Sequence, residues 1–93
     1  MMIGDLMEEG QELDKKGRFA IRTPDGDAEL LYEVVGSSMN LFDIFVPEKE
    51  RGKGYGERLV KAAAAYSKEH NLTLRPDSPQ IERLMQVHPE LFA

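Results

Sequence analysis

The chain contains no cysteine. Disulfides, thiolate metal sites and a cysteine nucleophile are therefore excluded. It also lacks a long apolar run. The opening Met1-Met2-Ile3-Gly4-Asp5 meets a carboxylate within its first turn. Neither a secretory leader nor a membrane span is read there, and a cytoplasmic location is expected. Positive charge is scarce: 12 Lys and Arg stand against 17 Asp and Glu, for a formal net charge of −5. Nucleic-acid binders usually carry a basic footprint, so that class is not expected. Internal repeats, linkers and low-complexity tracts are lacking too. Apolar content, at 41%, is that of a folded protein rather than a disordered one. A length of 93 residues suits one small domain over residues 1–93 with a modest core.

The hydrophobic pattern then gives the elements in order. Residues 3–16 read as an amphipathic helix, with Ile3, Leu6, Met7 and Leu13 on one stripe and Gly17 as its C-cap. A packing helix is the plain reading of that stripe, and a homodimer contact is the second. Three strands follow, over residues 18–23, 28–35 and 39–46. The turns between them are Pro24-Asp25-Gly26-Asp27 and Gly36-Ser37-Ser38. In the second strand Ala28, Leu30, Tyr32 and Val34 share a face. The third is apolar on both faces except at Asn40 and Asp43, which predicts a central strand covered on both sides. Residues 55–69 read as a helix with Tyr55, Leu59, Ala62, Ala63 and Tyr66 as its apolar stripe, and Asn71 suits its end. A short strand over 72–75 should lie parallel to the third by a right-handed crossover. Ser78 as N-cap and Pro79 as N1 open a last helix, with Ile81, Leu84, Met85 and His88 on its stripe. The fold class expected is α+β: an antiparallel three-strand meander plus one parallel strand, flanked by helices.

One stretch organises the rest, Val46 to Leu59. A strand enters it, a helix leaves it, and glycines stand at 52, 54 and 56 between basic residues at 51, 53 and 58. Without Cβ atoms there, backbone N–H groups can come close to a ligand. The first N–H groups of a helix lack intrahelical partners and sit at its positive end, so an anion is favoured. The cluster Lys49, Arg51, Lys53, Arg58 and Lys61 against an acidic background points to a small anionic ligand. There is no second βαβ half for a dinucleotide fold and no Gly-Lys-Ser/Thr of a Walker loop.

The string Val-Pro-x-x-x-Arg-Gly-x-Gly-x-Gly-x-x-Leu, with Arg51, Gly54 and Gly56 at its core, resembles the acetyl-CoA signature of the GNAT superfamily of N-acetyltransferases. From about Ala28 to Phe92 the chain is similar to a small family of that superfamily, the YjdJ-like or Gtnat-like type. Leu31-Tyr32, Leu59-Val60-Lys61-Ala62-Ala63, Pro79 and His88-Pro89-Glu90 carry the likeness further, and the N-terminal segment 1–17 falls outside it. The resemblance implies a minimal GNAT-like fold and acetyl-CoA as cosubstrate, with an unidentified amine as acceptor and no metal. It implies that the third and fourth strands diverge just after Val46 and that pantetheine lies in the gap. The diphosphate would rest on the turn, making Val46, Arg51, Gly52, Lys53, Gly54, Tyr55 and Gly56 the expected cofactor-binding residues. Two positions depart from that family. Ser78 stands where a cysteine is common, and Ile44-Phe45 stands where Thr-Glu is common.

Acetyl transfer to an amine needs a neutral amine, a donor for the developing oxyanion and a proton or hydrogen bond for the leaving thiolate. Ser78 is a candidate donor to the thiolate as well as a helix cap. Asp43, a carboxylate in an apolar strand, requires a polar partner or a role. Glu48 and His88 are the other titratable groups on the relevant elements. The function expected is transfer by direct attack in a ternary complex. The alternative is a CoA-binding regulatory or interaction module with impaired catalysis.

Overall fold

The computed structural model describes residues 15–89. Four strands and two helices follow in order. They are β1 (Lys15–Thr23), β2 (Gly26–Val35), β3 (Ser38–Phe45), α1 (Tyr55–Glu69), β4 (Thr73–Pro76) and α2 (Pro79–Val87). A 3-10 turn, Glu48–Glu50, lies between β3 and α1. The sheet order is β1-β2-β3-β4, with β1, β2 and β3 antiparallel and β4 parallel to β3. This is the expected α+β arrangement, a minimal GNAT-like fold.

Alternation builds the inner face. Ala28, Leu30 and Tyr32 of β2 are buried, as are Met39, Leu41 and Ile44 of β3. The step from odd to even numbers along β3 marks a bulge. Leu31 pairs with Asp43 and Tyr32 with Leu41, leaving Phe42 as the extra residue. Leu59, Val60 and Ala63 of α1 and Ile81 of α2 close the same cluster. Both helices thus lie on one side of the sheet.

The expected face of α1 turns slightly. Leu59, Val60, Ala63, Ala64 and Ser67 are its buried residues, while Ala62 is exposed. Tyr66 is core-packed, stacked among Phe19, Tyr32 and His70. Asn71 ends the helix at a positive φ of 56°.

Two expectations are corrected. The third strand is central but covered on one side only among the described residues. Phe42 is 40% and Phe45 51% exposed, and neither joins the core or the residues packed against it. The bulge, which puts one residue too many on β3, sends them outward.

The helix expected over 3–16 lies outside the described residues except at its last two positions, and those, with Gly17, belong to β1. Gly17 is no C-cap. It pairs with Tyr32, and a Cβ there would fall 2.5 Å from Tyr32 Cζ. Long-range pairing overrides the local helix-end signal. The Tyr32 ring cannot yield easily, since Phe19 stands 5.1 Å and Tyr66 6.0 Å from its centroid. Gly17→Ala is therefore expected to destabilise the fold by about 1–3 kcal/mol as an overpacking change. The readout is the urea unfolding midpoint, and an unchanged midpoint would show that the ring is free to move.

Candidate acyl-coenzyme site

The site begins where two strands part. The parallel ladder runs from Ser38 and Thr73 to Leu41 and Pro76. Proline has no N–H to extend it, and Asp77 N–H closes it on the Leu41 carbonyl at 2.7 Å. β3 continues to Phe45, so its residues beyond Leu41 have no β4 partner. The strands were expected to diverge just after Val46, and they part five residues earlier, because the ladder ends at Pro76.

The chain then turns through Pro47 and the 3-10 turn into α1. Gly52 and Gly54 have φ of +82° and +87°, the left-handed region that favours glycine. A Cβ on Gly52 would meet nothing within 4 Å, so the turn is open on that side. Gly54 is the N-cap of α1, and no side chain caps the helix. Arg58 N–H is the first to bond back, to the Gly54 carbonyl at 3.0 Å. The amides of Tyr55, Gly56 and Glu57 are therefore the ones a ligand can satisfy. α2 provides the contrast, because its first turn is capped by Ser78, whose Oγ accepts the Ile81 N–H at 3.1 Å.

A cavity of about 530 Å³ opens on this uncapped end. Of the residues expected to bind cofactor, Val46, Arg51, Gly52, Gly54, Tyr55 and Gly56 line it. Lys53 does not line it, and its ammonium is 3.0 Å from Glu50 Oε1. Arg51 Nε donates to the Val46 carbonyl at 3.1 Å, bracing the strand end against the turn. Arg58 lies over the Tyr55 ring, 5.5 Å from its centroid. The α2 wall supplies Gln80, Arg83, Leu84, Val87 and His88. His88 Nε2 is hydrogen-bonded to Glu57 Oε2, which ties the end of α2 to the start of α1.

The two expected catalytic residues stand outside the cavity lining. Asp43 is exposed at the bulge, its Oδ1 accepting the Ile44 N–H at 2.9 Å. The Ser78 hydroxyl, while accepting as a cap, retains its own proton to donate. Glu48 is exposed on the turn.

Sequence reasoning missed Glu50, which is 2% exposed and lines the cavity. It is held by Lys53 and by Asp25 from the β1–β2 turn. The Thr23 hydroxyl fixes that turn, donating to the Gly26 carbonyl at 2.5 Å and accepting the Asp25 N–H at 3.2 Å. The hydrogen bond to Glu50 raises the Asp25 pKa above its ordinary value, with burial adding to the rise. The same bond, then Lys53, lowers that of Glu50. Asp25 therefore loses its proton at a higher pH than an ordinary aspartate and Glu50 at a lower pH than an ordinary glutamate, and between those two titrations one proton lies between them. Nothing in the local pattern around Glu50 marks it, because its partner comes from a distant turn.

An open mixed sheet with a strand, a glycine turn and an uncapped helix at its divergence is the minimal GNAT-like α+β arrangement. A family model described as GCN5-related N-acetyl-transferase matches residues 18–93, and the chain belongs to that family. Its members transfer acetyl groups and use acetyl-CoA as cosubstrate. Comparison with curated proteins and with solved structures gives no match. Among the described residues, no helix is long and apolar enough to cross a membrane.

The shared proton has a signed consequence. Asp25, with its pKa raised, contributes stability that is complete below its unfolded value and is lost as pH rises through its folded value. Glu50, with its pKa lowered, contributes above its unfolded value and loses this as pH falls through its folded value. The anchor of the turn is strongest between the two folded values. Asp25→Asn keeps a donor at every pH. Thermal melts should show the wild type losing midpoint as pH rises through the Asp25 titration, while the variant stays flat on that limb. Parallel curves for the two proteins would remove the shared proton from the account.

Proposed function

We propose that this chain is an acetyl-CoA-dependent N-acetyltransferase of the small YjdJ-like type. It transfers acetyl to an amine by direct attack in a ternary complex. The observation that carries this is the uncapped head of α1, opening onto a cavity beside the divergence of β3 and β4. A diphosphate on the amides of Tyr55, Gly56 and Glu57 supplies the cap that the sequence omits. Arg51 stands at the rim of that position. The pantetheine arm runs along the open edge of β3 towards Val46 and Ile44.

The reaction balances simply. The amine nitrogen bonds to the acetyl carbonyl carbon, the carbon–sulfur bond breaks, and the proton shed by nitrogen is returned to the leaving thiolate. The products are an amide and free CoA. Asp43 and Ser78 flank the gap from opposite sides of the divergence, on β3 and just after β4. In this proposal Asp43 receives the proton from nitrogen and Ser78 donates a hydrogen bond to sulfur.

Acetyl-CoA consumption with free-thiol release, assayed over an amine panel, is the direct test. Coenzyme binding with no turnover on any acceptor would leave a binding module and end this proposal. The cradle itself is probed by Gly54→Ala. A side chain at φ +87° is strained, and the turn must shift to relieve it. Acetyl-CoA affinity by calorimetry is expected to fall about tenfold, or ~1.4 kcal/mol.

A further inference from the structure

The bulge in β3 places an unassigned surface beside the acyl gap. Phe42, the extra residue, and Phe45 point away from the core and are 40% and 51% exposed. Phe45 also lines the cradle cavity, so the outer surface and the cradle are continuous. Asp43 lies between them. Its Oδ1 is fixed by the Ile44 N–H at 2.9 Å, and its Oδ2 has no hydrogen-bond or ion-pair partner among the described residues. The neighbouring charges on this face are Glu29, opposite Phe45, Glu33, opposite Asn40 on one side, and Arg75 of β4, opposite Asn40 on the other. Arg18 is already committed to Glu29 at 2.8 Å and to Asp27 at 3.9 Å. On the signature turn Arg51 lines the cradle and Lys53 is paired with Glu50, while this side offers a carboxylate set between two aromatic rings.

We propose that Phe42, Asp43 and Phe45 form the acceptor subsite, and that the acceptor is a primary amine carried on an apolar group about the size of a phenyl or short alkyl chain. This rests on the acetyltransferase reading above. Each part of the surface has a matching part of the ligand. The rings cover an apolar body, because exposed aromatic surface is where such a group gains most from leaving water. Asp43 Oδ2 accepts an N–H of the amine, and the rings add attraction for its cationic form before deprotonation. The fixed Oδ1 bond matters here, since a carboxylate already held by the backbone loses little freedom on binding. A polar amine of similar length meets the same carboxylate but leaves the rings wet.

The experiment uses the full chain saturated with CoA, followed by backbone amide shifts. Phenethylamine should perturb residues 42–45 and bind about tenfold tighter than ethanolamine, the scale expected for a small apolar group entering or missing its pocket. Phe42→Ala should erase that preference. Persistence of CoA-induced shifts at residues 51–56 in the variant shows that it is folded. Equal affinity for the two amines overturns the proposal. So do unmoved amides at 42–45, whether because another part of the chain or a second copy covers the face. Failure of the acetyltransferase reading is seen separately, as CoA leaving residues 51–56 undisturbed before any amine is added or as no free-thiol release from acetyl-CoA with any amine.

Discussion

A single ladder ends early, and the geometry of the candidate site follows from where it ends. Pairing of β3 with β4 stops at Leu41 and Pro76 because a proline cannot donate the next hydrogen bond. Asp77 N–H takes the Leu41 carbonyl instead, and the chain turns away into α2. Four residues later β3 ends at Phe45 with one edge open. Had the ladder continued, the gap would be closed by main chain and the head of α1 would face a wall. The bulge at Phe42 falls at the same level. It lets Ile44 return to the core while Phe42 and Phe45 face outward, so the interior stays packed although the strand is open along one edge.

The turn between β3 and α1 is then held by contacts of three kinds. Arg51 braces the Val46 carbonyl, Lys53 pairs with Glu50, and Glu50 is hydrogen-bonded to Asp25. None of these uses the amides of Tyr55, Gly56 or Glu57. The side chains fix the shape of the turn from behind, and its front remains main chain. Lys53, which sequence reasoning placed on the anion rim, belongs in this structure to the bracing. Its charge is partly spent on a buried carboxylate. On the other wall the Glu57–His88 pair joins the two helices across the cavity mouth.

What the sequence made legible was local. Glycine spacing, the Ser78-Pro79 helix start and the alternation along β2 are each decided by residues within one turn or strand, and each stands where it was expected. The misread features depend on partners far along the chain. Gly17 looked like a helix end after Lys15 and Lys16, but its reason is the ring of Tyr32. Glu50 was not singled out at all, because the partners that keep it buried, Asp25 above all, are not visible in its local pattern. The bulge was invisible because Phe42 and Phe45 are apolar, and apolar residues in a strand read as covered until the register is known. Asp43 was singled out for lying in an apolar strand. The structure explains its position through the bulge, where it bonds the Ile44 N–H.

The two helix starts show how the chain divides support from function. α2 has the Ser–Pro start that secures a helix by itself, and such a cap contributes ~1 kcal/mol. α1, the longer helix and the one touching every strand, begins instead at a left-handed glycine without a side-chain cap. Its stability comes from Leu59, Val60 and Ala63 in the core rather than from its end. A helix so well packed can leave its first amides to solvent at little risk to the fold. A ligand that satisfies them only in the folded state stabilises that state by RT ln(1 + [L]/Kd). Ser, Asp or Asn at position 54 would strengthen the isolated helix, yet its side chain would occupy the same amides. Glycine there keeps the positive end of the helix available, and the surrounding core makes that omission tolerable.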